Sequence, residues 1–188
     1  MLDQSIARRL KLVGFDVDGV LTDNGIYLGT VGDHPVELKR FHIQDGMGLR
    51  MLKEAGLTVV FASARLSAAT EQRGRELKID EVLQDKYKLP AFEAMLARRG
   101  IGWEETAFVG DDLPDLPLLQ RVGLPIAVAN AVPEVKAVAR VVTERAGGAG
   151  AAREVAELIL RTRGEWQALV TKYFVERGDV ASGHERSR

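Results

Sequence analysis

Short uncharged runs and stretches of helical period alternate along most of the chain. Lys11 to Val17, Leu57 to Ala62, Glu81 to Leu83, Thr106 to Val109 and Pro125 to Val128 read as strands, and Val141 to Thr143 as a short edge strand. Helical patterns lie between and after them: Gly48 to Ala55, Ser67 to Leu77, Lys88 to Arg99, Leu116 to Arg121, Pro133 to Ala139, about Ala151 to Arg161, and residues 164–175. Residues 1–10 form a leader with a helical turn. Gly25 to Phe41 breaks the alternation. Two short runs flank Gly32, Asp33 and Pro35, the pattern of a β-hairpin. Its edge is exposed unless something covers it, and a second copy of the chain is the expected cover. Strands separated by helices predict a doubly wound, mostly parallel sheet with helices on both faces. A single domain is expected over residues 1–175. From 176 to 188 the chain is polar with no apolar period, which predicts a flexible tail.

Composition narrows the function classes. The chain has 188 residues, enough for one sizeable core, and a formal charge of −1, which gives no electrostatic reason to expect nucleic acid or a membrane surface. Cysteine is absent, so no disulfide framework exists. No long apolar span and no signal-peptide core appears near the N-terminus, so a cytoplasmic protein is expected.

The candidate chemistry falls at strand ends, where doubly wound sheets gather their ligands. The first run climbs into Phe15-Asp16-Val17-Asp18-Gly19. Paired carboxylates at the end of a buried strand are costly unless a cation compensates them, and Mg²⁺ is the natural hard cation. Ser63 follows the second strand and reads either as a helix N-cap or as a phosphate ligand. Lys88 follows the third and reads either as a solvated cation or as a phosphate contact. Lys86 is its neighbour and rival. Gly110-Asp111-Asp112-Leu113-Pro114-Asp115 follows the fourth and carries more acids than a capping turn needs.

Phe15-Asp16-Val17-Asp18-Gly19-Val20-Leu21-Thr22-Asp23 resembles the first signature of the haloacid dehalogenase superfamily of phosphohydrolases, and Ser63, Lys88 and Gly110 to Asp115 resemble the other three, in order. The resemblance implies a Rossmann-like fold with no cap domain, since only the hairpin separates the first signature from the next helix. It implies that Asp16 attacks phosphorus to form an aspartyl phosphate and that Asp18 protonates the leaving group and later activates water. Ser63 and Lys88 would hold phosphate. Asp16, Asp18 and Asp111 would bind Mg²⁺, with Asp112 and Asp115 supporting them. Phe41 to Gly48 and Ala146 to Glu154 resemble the 3-deoxy-D-manno-octulosonate 8-phosphate phosphatases, whose product enters lipopolysaccharide synthesis. That likeness implies a homotetramer with hairpins at its core, in which neighbouring subunits shape each site. It also implies a small acidic sugar phosphate bound by Asp18, His42, Ile43, Gln44, Asp45, Gly46, Arg50, Arg65, Arg73 and Lys88. By the same resemblance, relatives acting on nonulosonate 9-phosphates tend to carry Glu where Arg65 stands, so Arg65 favours the octulosonate. A nonulosonate or other sugar phosphatase and a non-catalytic tetramerisation scaffold are the competing readings.

Overall fold

The structure is a computed structural model and describes residues 2–176. Helix α1 (Gln4–Arg9) leads into β1 (Leu12–Phe15), followed by the hairpin strands β2 (Tyr27–Val31) and β3 (His34–Leu38). Then come α2 (Ile43–Glu54), β4 (Thr58–Ser63), α3 (Ala68–Glu76), β5 (Glu81–Gln84), α4 (Lys88–Arg99), β6 (Thr106–Gly110) and α5 (Leu116–Leu119). The chain continues through β7 (Leu124–Ala127), α6 (Pro133–Val138), β8 (Val141–Val142), α7 (Ala151–Arg163) and α8 (Trp166–Glu176).

Six strands form one parallel sheet in the order β5-β4-β1-β6-β7-β8, and β2 pairs with β3 in a separate antiparallel ribbon. The chain runs outward from β1 through β4 to β5, returns to β6, and then leaves in the other direction. That reversal opens a crevice between β1 and β6 at their carboxyl ends, the position where such sheets bind ligands. Both central strands are buried along their whole length. Phe92 of α4 fills the space over them, edge-on to Phe108 at 5.6 Å and stacked on Trp103 at 5.9 Å between ring centres. Helix α7 packs along α2 and is flanked by α1 and α8.

The doubly wound sheet is the one the pattern predicts, and the missing cap is what the resemblance implies, but several element boundaries differ. Helix α2 begins at Ile43, five residues before the expected start at Gly48. Gly46 and Gly48 look like helix breakers, yet they permit close packing. A methyl group at Gly48 would press on Arg153 Cα at 2.9 Å and on the Ala156 methyl at 3.1 Å. Helix α5 stops at Leu119 instead of Arg121, and the turn before it, Leu113–Asp115, is a 3₁₀ segment. Helix α7 runs two residues past Arg161 to a left-handed Gly164. Glu176 ends α8, and the rest of the expected tail, residues 177–188, lies outside the described residues.

Candidate active site

Strand β1 ends at Phe15, so Asp16 and Asp18 emerge at the carboxyl edge of the sheet. The turn that follows is held from within: the Thr22 hydroxyl donates to the Val17 carbonyl at 3.2 Å and accepts the Gly19 N–H at 3.3 Å. Gly19 has a φ of 99°, and a methyl there would overlap the Asp111 carboxylate at the end of β6. The first and fourth acidic segments are thus in direct contact. Gly147 lies so close to the carbonyl of Gly19 that a methyl would overlap it, and Asn130 joins the two loops by accepting the Gly147 N–H at 2.7 Å. The glycine-rich segment before α7 therefore buttresses the loop that carries the first two aspartates.

Asp16, Asp111 and Asp115 are all buried, and one carboxylate oxygen from each lies within 4.8 Å of the others. Lys88, the first residue of α4, reaches into this cluster. Its ammonium donates to Asp16 Oδ1 and, at 2.7 Å, to Asp115 Oδ1. Burial alone would lower the Lys88 pKa, but the charges of Asp16 and Asp115 outweigh it and hold the ammonium firmly protonated. One cation facing three buried carboxylates leaves an excess of negative charge. Burial and the nearby Asp115 charge accordingly raise the Asp16 carboxyl well above the usual range and bring that of Asp111 to about 7. Such a donor set fits a divalent cation: hard oxygen ligands, close together, with uncompensated charge.

Asp115 does more here than a supporting role suggests. Its Oδ2 accepts the Asp111 N–H at 3.0 Å while Oδ1 holds Lys88, so it fixes both partners of Asp16. Asp112 is exposed and accepts the Leu113 N–H at 2.8 Å, which makes it the cap of the 3₁₀ turn. Asp18 stands beside the cluster, with its carboxylate engaged elsewhere. Lys39 Nζ lies 2.7 Å from its Oδ1, and the Ser63 hydroxyl is 3.4 Å from its Oδ2. Ser63 is buried at the end of β4 and accepts the Arg65 N–H at 3.1 Å. The N-cap of α3 is Ser67, which accepts the Thr70 N–H, so Ser63 faces the site instead of capping the helix. Lys86 lies over the ring of Tyr87, away from the carboxylates that Lys88 engages.

A pocket of about 230 Å³ opens over this constellation, bounded by Asp16, Asp18, Asn24, Arg65, Lys88 and Asp111 among others. The remaining expected substrate residues lie elsewhere on the chain. Ile43, Gly46, Arg50 and Arg73 line a separate cavity of about 660 Å³ between α2 and α3. Asp45 is buried and accepts the Arg153 N–H at 2.8 Å, which anchors α2 to the start of α7. Gln44 is exposed, and His42 caps α2 through its backbone conformation without a side-chain bond. Within one chain the two groups are not brought together. Two polar residues that touch the site, Lys39 and Asn130, went unread in the sequence because neither belongs to a signature.

The sequence profile of haloacid dehalogenase-like hydrolases matches residues 82–155. The 3-deoxy-D-manno-octulosonate 8-phosphate phosphatase KdsC of Escherichia coli K12 is 41% identical over 160 residues, covering 85% of this chain and 84% of that protein. The Yersinia pestis KdsC is 40% identical over 155 residues, 82% of this chain and 81% of its own length. The chain belongs to the KdsC phosphatase family. A crystal structure of the 3-deoxy-D-manno-octulosonate 8-phosphate phosphatase from Moraxella catarrhalis, in complex with magnesium, phosphate and KDO, superposes with a TM-score of 0.85 at 36% identity, covering 90% of this chain and 97% of that one. The cobalt-bound deoxy-D-mannose-octulosonate 8-phosphate phosphatase YrbI of Haemophilus influenzae gives a TM-score of 0.78 at 35% identity, over 85% of this chain and 92% of that one. The shared KdsC fold accounts for the absence of a cap: among the described residues, β1 and α2 are joined only through the β2–β3 ribbon, and β4 and β5 only through α3.

Proposed function

We propose that this chain hydrolyses 3-deoxy-D-manno-octulosonate 8-phosphate to the free keto-sugar acid and phosphate, as a Mg²⁺-dependent phosphomonoesterase supplying lipopolysaccharide synthesis. The observation that carries the proposal is the convergence of Asp16, Asp18, Lys88 and Asp111 at the β1–β6 crevice, with Ser63 beside Asp18, in a chain 41% identical to KdsC over 85% of its length. Asp16 is the nucleophile. Its carboxylate attacks phosphorus and becomes an aspartyl phosphate, which water then cleaves. Asp18 gives a proton to the departing alkoxide and later takes one from that water. Lys88 and Ser63 meet the phosphoryl oxygens, and Asp115 keeps Lys88 charged and in place. Asp16 and Asp111 would hold the cation, with Asp115 and Asp112 around them. Asp18, the remaining expected ligand, stands beside them with its carboxylate against Lys39 and Ser63. The cation, when bound, neutralises charge between the nucleophile and the phosphoryl group.

Arg65 is the proposed partner of the sugar's carboxylate. Its guanidinium lies at the pocket rim, 3.1 Å from the Glu37 carboxylate, so it already holds an anion of the right kind. The His42–Gly46 segment, Arg50 and Arg73 act on substrate in a homotetramer, where the α2–α3 cavity of one subunit faces the pocket of another. The working unit is one domain over residues 1–175, placed in the cytoplasm. No helix among the described residues is long and apolar enough to cross a membrane.

The test is turnover of a sugar-phosphate panel by purified protein, with and without Mg²⁺. The octulosonate ester should lead. A nonulosonate 9-phosphate at the head of the panel would shift the assignment to that class. No turnover of any ester, p-nitrophenyl phosphate included, would leave the scaffold reading.

A further inference from the structure

The hairpin sends one charged side chain into the active site that the proposed chemistry has not used. Lys39 follows β3, and its side chain has no contact with solvent. A buried ammonium is costly unless fully partnered. Its nearest partner is Asp18 Oδ1 at 2.7 Å, followed by the Thr70 hydroxyl at 3.3 Å and Glu37 Oε1 at 3.7 Å. A structural lysine would need only its own hairpin and α3. This one instead reaches across to the carboxylate that stands at the mouth of the phosphate pocket.

We infer that Lys39 is a positioning residue for Asp18, supplied by the hairpin, that fixes which carboxyl oxygen performs proton transfer. An ammonium has three N–H donors and no lone pair, so the oxygen facing it can only accept. The Lys39 charge, 2.7 Å away, holds Oδ1 by ion pairing as the oxygen that faces the hairpin. Oδ2, which accepts the Ser63 hydroxyl at 3.4 Å, is left as the oxygen that serves the leaving group. Without Lys39 the carboxyl group is free to turn about its χ2 bond, and the acidic hydrogen is presented to the leaving oxygen only part of the time. The inference rests on the phosphatase reading with Asp16 as nucleophile and Asp18 as acid. It predicts a defect confined to steps that need a proton. Attack by Asp16 with expulsion of nitrophenolate, a leaving group stable without a proton, should proceed. Expulsion of an alkoxide should not.

The experiment is rapid-quench single turnover, enzyme in excess, on p-nitrophenyl phosphate and on 3-deoxy-D-manno-octulosonate 8-phosphate, for wild type, Lys39→Met and Lys39→Arg. Lys39→Met should release nitrophenolate within about threefold of the wild-type rate. It should cleave the sugar ester about 10- to 100-fold more slowly, part of what general acid catalysis contributes. KM for the sugar ester should stay within about threefold. Lys39→Arg restores a donor cation and should recover most of the sugar-ester rate, although Met fills the space of the lysine stem better. Equal losses on both substrates, a loss in KM alone, or a Met variant that outperforms the Arg variant would overturn the assignment. If the Met variant does not fold, Lys39→Gln replaces it: its aryl-to-alkyl rate ratio must rise about 10-fold or more above that of wild type, and an unchanged ratio overturns the role. A wild type that forms no phosphoenzyme on either substrate would sink the phosphatase reading, and the Lys39 role with it. A failure of Lys39 alone shows only in the variants.

Discussion

At the scale of single residues, the site is a balance of charge. Burial and crowding by Asp115 raise the Asp16 carboxyl and take Asp111 to about 7, whereas an unfolded chain releases those protons near the ordinary 3.8. The folded protein therefore holds more protons than the unfolded one between these values. The contribution of the two groups to stability is fully present at the acid end and falls as pH rises towards 7. A cation takes the place of those protons, so its stabilising effect must grow over the same window. Thermal unfolding with and without Mg²⁺ at about pH 5 and about pH 8 should give the larger Mg²⁺ shift at the higher pH. Equal shifts at both would mean that the cation does not meet these carboxylates. Arg65 sits at the other end of the pocket. Loss of a charge-assisted contact worth about 1.5–3 kcal/mol corresponds to roughly 10- to 150-fold in kcat/KM. Arg65→Ala should lose that much on the acidic sugar phosphate and little on p-nitrophenyl phosphate. Parallel losses would place Arg65 on the phosphate. Asp16, Asp18, Lys88 and Asp111 were readable in the sequence because each sits in a short local signature at a strand end. Lys39 was not. Its meaning arises only when the hairpin folds back over Asp18, and a lysine at a strand end looks like any solvated cation.

The elements carry the same lesson. The alternation of apolar runs with helical stretches was enough to predict the parallel sheet, because a parallel order needs crossovers and the chain has room only for helices. The start of α2 is not legible in the sequence, since Gly46 and Gly48 carry weak helix propensity and only the partner helix explains them. The distance from Gly48 to the backbone of Arg153 leaves no room for a methyl group. Gly48→Ala should therefore cost about 1–3 kcal/mol by forcing α7 away from α2. That corresponds to a drop in Tm of about 2–10 °C for a chain of this size. The displacement also pulls on Asp45, which ties α2 to the Arg153 N–H. A variant as stable as wild type would show that the α2–α7 contact yields more easily than its geometry suggests.

At the scale of the whole molecule, the hairpin and the α2–α3 cavity pose one question. A lone two-stranded ribbon is marginal in water, and this one exposes Tyr27, Val31 and Leu38 on the face opposite Glu37. The proposed tetramer covers that face and brings the α2–α3 cavity of one subunit to the phosphate pocket of its neighbour. Light scattering at micromolar concentration should then report four chains. Val31→Glu, which places a charge in the covered face, should shift the protein towards smaller species while leaving helix content intact. Shared sites make a sharper demand. Asp16→Asn subunits lack the nucleophile but keep Arg50 and Arg73, whereas Arg50→Ala/Arg73→Ala subunits keep the nucleophile and lose both arginines. Each homotetramer should be nearly inactive on the octulosonate ester. Co-expressed mixtures should regain activity, because some interfaces then join an intact Asp16 pocket to an intact arginine cavity. Arg73 is packed against Phe41 and paired with Glu76 at 2.8 Å, so its loss could also disturb α3. Complementation separates the two effects: a folding defect in the arginine-deficient subunit stays with that subunit, and mixing cannot repair it. Mixtures that give only the sum of their parts would confine each active site to a single chain, and the arginine cavity would then serve some purpose other than this substrate.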